Sequence, residues 1–152
     1  MKSVIEGSVY LLIMTLFFYS TVQFIVMNEK VTKVNEMSSY VENYVEALGH
    51  CKTDEDGNIL YYKYDESNNL VLANESDIQS DTVKTFPVLQ EDLVKQLKEA
   101  VKKVGFDIDL KYIDKTNTYV YIDYSVNYTL SHPFFGYKKE HTYSGLARCS
   151  LL

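Results

Sequence analysis

The residues able to do chemistry are few and scattered. His50, His132 and His141 have no helical i, i+4 spacing and no acid at a recognisable offset. A metalloprotease pair, a nucleophile elbow, a P-loop and a glycine-rich dinucleotide turn are all missing. Ser131-His132 with distant acids could be assembled into a triad on paper, but so could many sequences. The run Asp54-Glu55-Asp56-Gly57-Asn58 has calcium-loop chemistry but the wrong spacing. An EF-hand needs Gly at its sixth position and a bidentate Glu at its twelfth, and counting from Asp54 these are Ile59 and Asp65. A hairpin turn in a solvated acidic loop is the better reading. No catalytic residue, metal ligand or cofactor is expected, and the chain does not read as an enzyme. Asn74-Glu75-Ser76 and Asn127-Tyr128-Thr129 fit the glycosylation pattern by spacing alone.

Two cysteines have a plainer chemistry. Cys51 and Cys149 have neither a CxxC neighbour nor a nearby His pair, which argues against zinc. In an oxidising compartment they would form one bridge closing a loop of about 100 residues, worth roughly 4–5 kcal/mol in the chain-entropy account. The alternative is two reduced, buried, small apolar side chains. The bridge is the favoured expectation, and it places the C-terminal domain outside the cytoplasm. Charge alone hardly orients the chain, because Lys2 and the free amine before the apolar stretch are nearly balanced by Lys30 and Lys33 after it.

That stretch positions everything else. Gly7 to Met27 contains no charged side chain, and a helix of this length matches the roughly 30 Å hydrocarbon layer of a bilayer. It exceeds a cleaved signal's apolar core and is followed by no small-x-small site, so a retained anchor is expected. Beyond it, Val31, Val34, Met37, Val41, Tyr44 and Leu48 recur in three- and four-residue steps, a narrow seam expected to pack on the protein's own sheet. The resulting division is residues 1–6 cytoplasmic, 7–27 transmembrane, 28–48 an amphipathic continuation, and 49–152 an extracytoplasmic head. Gly49 is expected to cap the helix in the left-handed conformation.

Within the head, turns at Asp56-Gly57-Asn58 and at Glu66 to Asn69 bracket a hairpin of Ile59–Tyr64 and Leu70–Leu72. Asn74 to Thr85 is polar and reads as loop. Leu89, Leu93, Leu97, Val101 and Val104 line one face of a second helix, ended by Gly105. Three alternating strands follow, the longest running from Tyr119 to Leu130. Ser131 to Lys139 reads as a loop whose aromatics Phe134, Phe135 and Tyr137, joined by Tyr119 and Tyr121, form a candidate ligand surface. The class is α+β: a long N-terminal helix, a second amphipathic helix and an antiparallel sheet. Fourteen tyrosines without one tryptophan suit half-buried sheet positions. The net charge of −6 is concentrated between residues 49 and 84, and with no basic stripe, nucleic-acid binding is not expected.

Glu6 stands immediately before the apolar stretch, within Val4-Ile5-Glu6. Among lipid headgroups it needs no partner. In a bundle of apolar helices its carboxylate would pair with a neighbour's terminal amine and set the stagger between subunits. With this start and the ending Ser125 to Leu130 through Ser144-Gly145-Leu146-Ala147-Arg148, the chain resembles the type IV pilin-like superfamily, and within it the minor pilins of tight-adherence pili and pseudopilins. The resemblance implies a non-enzymatic subunit of a pilus, secretion or conjugation assembly, with Glu6 in the place of the family's glutamate. It implies as partners the membrane and sister subunits or an assembly platform, and a single-pass location in the cell membrane. No Gly precedes Glu6, and Gly7 follows it where fibre-forming pilins carry Phe or Tyr. The resemblance therefore points to an accessory or tip subunit, or to a pilin-like protein that stays in the membrane. A signal-anchored binding module is the alternative.

Overall fold

A computed structural model describes residues 2–80, 82–132 and 136–151. The chain opens with one unbroken helix, α1, Lys2–Leu48, of 47 residues and about 70 Å. Three serine and threonine hydroxyls in its apolar half (Ser8, Thr15 and Thr21) bond back to the carbonyl four residues earlier. These three hydroxyls are thereby satisfied inside the helix, which suits an apolar environment.

After α1 come β1, Tyr61–Tyr64; β2, Leu70–Leu72; a single turn of helix, α2, Glu75–Ile78; β3, Phe86–Pro87; and α3, Glu91–Lys103. Then follow β4, Asp107–Lys115; β5, Tyr119–His132; and β6, Tyr137–Ser150. All pairing within the sheets is antiparallel, in two three-stranded sheets ordered β2-β1-β3 and β4-β5-β6. The α+β class and the long-helix layout are as expected.

Several details differ from expectation. The strands divide into two sheets because side chains meet the outer edge of β4. There the Tyr64 hydroxyl accepts the Tyr112 amide at 3.0 Å. The segment expected as loop from Asn74 contains α2, held by a capping box between Asn74 and Asp77. The β5–β6 hairpin continues past Leu130 to the His132–Tyr137 pair. Period-two polarity had faded there, but the ladder hydrogen bonds had not. Phe134 and Phe135 lie outside the described residues. Gly49 is not left-handed, since the glycines with positive φ among the described residues are Gly57, Gly105 and Gly136. Its missing side chain serves close packing instead: a Cβ there would stand 2.2 Å from the Val45 carbonyl oxygen and 2.8 Å from Cys149 Sγ.

The core lies between the second half of α1, α3 and the inner face of the larger sheet. It is built on Val34, Val41, Leu97, Val101, Val120 and Ile122, each at most 1 % exposed. The expected seam is shifted at its ends. Val34 and Val41 are buried, with Met37 and Tyr44 packed at the edge, but Val31 and Leu48 are exposed. The buried stripe runs Val34, Ser38, Val41, Val45. One face of α1 thus carries a serine at its centre, which a count of apolar residues passes over.

Candidate functional site

The residues singled out above fall in four separate places. Glu6 sits on the exposed surface of α1 and makes no ion pair among the described residues. Around it and beyond, the helix is bare: Tyr10 and Leu11 are 71 % exposed and Phe17 and Phe18 68 %. Among the described residues α1 is the one helix long and apolar enough to cross a membrane. By length and composition it fits a membrane anchor or a signal sequence.

Cys51 and Cys149 come together at the far end of α1. Cys51 bridges to Leu89 just after the helix, and Cys149 pairs with Val120 in the last strand. Both are buried free thiols with their side chains in hydrogen-bond contact. That contact splits their titration. The proximity of the two sulfurs holds Cys51 below its ordinary 9.0 and Cys149 above it, with burial adding to the rise of Cys149, while the Cys149 thiol donates to the Ser150 carbonyl at 3.4 Å. The structure brings together two residues almost a hundred positions apart, but as free thiols, so the expected bridge is not shown.

The aromatic ligand surface is not one surface. Tyr119 pairs with Ser150 at one end of the β5–β6 ladder and His132 with Tyr137 at the other, about 40 Å away at strand rise. Tyr119 and Tyr121 also point to the sheet face opposite the core. Tyr119 lies under the Arg148 guanidinium at 5.5 Å. Tyr137 is exposed, its hydroxyl 3.3 Å from His141 Nε2.

The acidic turns spend their carboxylates locally. Asp54 accepts the amides of Asp56 at 3.0 Å and Asn58 at 2.8 Å, and the Asn58 side chain at 3.1 Å. Hydrogen bonds from Asn58 lead in holding its carboxyl below the usual range. Asp65 repeats the arrangement with Ser67 and Asn69. Among the described residues no three His, Cys, Asp or Glu side chains converge to hold a metal ion.

Two features escaped the sequence reading. The first is a polar contact at the centre of the core. The Tyr124 hydroxyl donates to Glu42 at 2.6 Å and touches the Ser38 hydroxyl, joining β5 to α1. Gly145 lies opposite on β6, where a Cβ would meet the Tyr124 ring at 2.3–2.8 Å, so only glycine admits the ring. Burial, with Glu42 adding to it, pushes the Tyr124 phenol upward. A Ser at a seam position and a Gly inside a strand were the available signals.

The second is an open groove of about 890 Å³ between α3 and the edge strand β4. Val94, Leu110 and Tyr112 line it together with Lys95, Lys98, Asp107 and Asp109. It has no nucleophile–base pair. The one buried hydroxyl, on Tyr112, accepts the Leu89 amide at 3.0 Å, and burial pushes that phenol up to about 12. Compared with family models, with curated proteins and with solved structures, the chain matches none.

Proposed function

We infer that the chain is a non-enzymatic, pilin-like subunit, of the minor pilin or pseudopilin kind, in an envelope-spanning pilus, secretion or conjugation assembly. The observation that carries this reading is the contrast along α1. Its first half is apolar on every side and bare of its own protein, whereas its second half is sheathed by the sheet. An all-round apolar helix needs lipid or other helices around it. Glu6, at the edge of that surface, sets the stagger with a neighbour's terminal amine. In this reading the head lies outside the cytoplasm, and Cys51 and Cys149 close there as a disulfide. The two thiols pass two electrons and two protons to the disulfide of a thiol oxidoreductase, which leaves as a dithiol.

Glu6→Gln tests the assembly role. The variant is expected to insert into membranes normally and to be lost from the assembled structure. Normal incorporation would remove the specific role of Glu6. Mass measurement after alkylation, with and without prior reduction, tests the bridge; two alkylated thiols in the unreduced native protein would exclude it.

The groove beside β4 supports a second reading, a signal-anchored binding module whose helix is only a tether. Exchanging residues 7–27 for an unrelated span separates the two. A tethered module keeps its activity after the exchange, and an assembly subunit loses it.

A further inference from the structure

We propose that the His132–Tyr137 end of the β5–β6 hairpin is seated at the border between hydrocarbon and headgroups of the membrane that α1 enters, with Tyr137 at the interface and Lys138 and Lys139 on anionic phospholipid. This rests on the reading of residues 7–27 as a retained span, and goes beyond it by assigning the head a lipid-contact surface.

Contacts between sheet and helix descend in step: Arg148 pairs with Glu46 and Tyr124 with Glu42. Further down, the Lys30 ammonium donates to the Thr129 carbonyl at 2.7 Å, and Phe24 lies on His132 with ring centroids 5.9 Å apart. β5 therefore runs back along α1 toward the N-terminus. From Tyr124 to His132 is about 26 Å of strand, and from Ser38 to Phe24 about 21 Å of helix, so the two stay nearly aligned. The head does not stand on top of the rod. Its hairpin reaches down beside it.

Phe24 lies three residues inside the charge-free stretch that ends at Met27, about 4–5 Å below its edge. His132 and its ladder partner Tyr137 are abreast of it. Lys138 and Lys139 pair with Ser131 and Leu130, each about 3.4 Å further from the bilayer centre. On this scale His132 and Tyr137 lie about 4–5 Å inside the hydrocarbon edge, Lys138 close to it and Lys139 a few Å beyond, at the border of a polar layer roughly 5–8 Å deep that long lysine side chains reach.

The residue types suit that depth. Tyrosine concentrates where an apolar ring meets a wet hydroxyl, and lysines near a membrane reach phosphates. Lys138 and Lys139 are exposed and make no ion pair among the described residues. At this end Lys30, Lys33, Lys138 and Lys139 stand against Glu29 and Glu140. Lys33 is held by Glu29 at 2.9 Å and Lys30 by Thr129. A chain of net charge −6 thus presents an excess of positive charge where it meets the bilayer. That charge complements an anionic leaflet.

The chain contains no tryptophan, so a single introduced indole reports its own depth. Full-length Tyr137→Trp is to be reconstituted in vesicles of phosphatidylcholine with phosphatidylglycerol, beside Phe17→Trp within the span and Tyr61→Trp at the far end. Tyr137 is exposed, so its replacement leaves the core intact. Tyr137→Trp is expected to be quenched by a headgroup-linked nitroxide and shielded from iodide relative to Tyr61→Trp. Adding Lys138→Glu and Lys139→Glu is expected to remove about half of the headgroup quenching, and phosphatidylcholine alone to do the same. Iodide access equal to that of Tyr61→Trp, with Phe17→Trp still quenched from the acyl chains, overturns the proposal alone. Headgroup quenching untouched by both charge reversal and lipid exchange overturns the lysine contact. If Phe17→Trp also escapes acyl-chain quenching, the span itself is wrong and the proposal goes with it.

Discussion

The two halves of α1 are continuous in backbone and opposite in surroundings. Val34, Val41 and Val45 are at most 1 % exposed beneath the sheet, while Phe17 and Phe18 are 68 % exposed. A one-sided apolar stripe finds its partner within the chain, and an all-round apolar surface has to find it elsewhere. Apolar side chains are thus in both halves for the same solvation reason, yet only one half contributes to the stability of the head.

That contrast is open to attack by substitution. Ile122→Ala, at a fully buried position facing α1, is expected to destabilise the head by about 2–5 kcal/mol. Phe17→Ala is expected to leave head unfolding unchanged. Urea titration of both in detergent micelles reads the difference, and equal losses would mean that the halves are coupled. Gly145→Ala comes next, since its methyl group would displace the Tyr124 ring from the helix. About 1–3 kcal/mol is the expected loss, and pairing it with Tyr124→Ala should abolish most of that cost.

The last effect is confined to alkaline pH. Buried Tyr112 has its phenol pushed from the ordinary 10.0 up to about 12, and Tyr124 is raised as well. Above pH 10 the unfolded chain releases these protons while the folded protein holds them. Their contribution is full below pH 10 and drains as pH rises through 12. The slope is at most about 1.4 kcal/mol per pH unit for each tyrosine. Melting curves of Tyr112→Phe and Tyr124→Phe across that window should be flatter than those of the parent protein.

Periodicity made much of this architecture legible. α3 showed in the spacing from Leu89 to Val101, and β4 and β5 in strict alternation. What stayed hidden has no periodic signature. β3 is two residues long and exists only because β1 lies beside it. The hairpin end at Ser131, His132 and Lys138 is polar, so it read as loop although its ladder is continuous. Ser38 and Gly145 were visible as oddities, but only the approach of Tyr124 gives them a reason. For the candidate sites, the convergence of the cysteines was anticipated from composition. The separation of Tyr119 from Tyr137 was not, because which end of a strand a residue occupies depends on pairing.

The reversed course of β5 along α1 has a mechanical consequence. With α1 held in the bilayer, a pull on Ser150 away from the membrane acts along β6, parallel to its axis. The fourteen ladder pairs between β5 and β6 then share the load in shear instead of parting one at a time. The same fold that covers half a helix thereby forms a tether suited to tension.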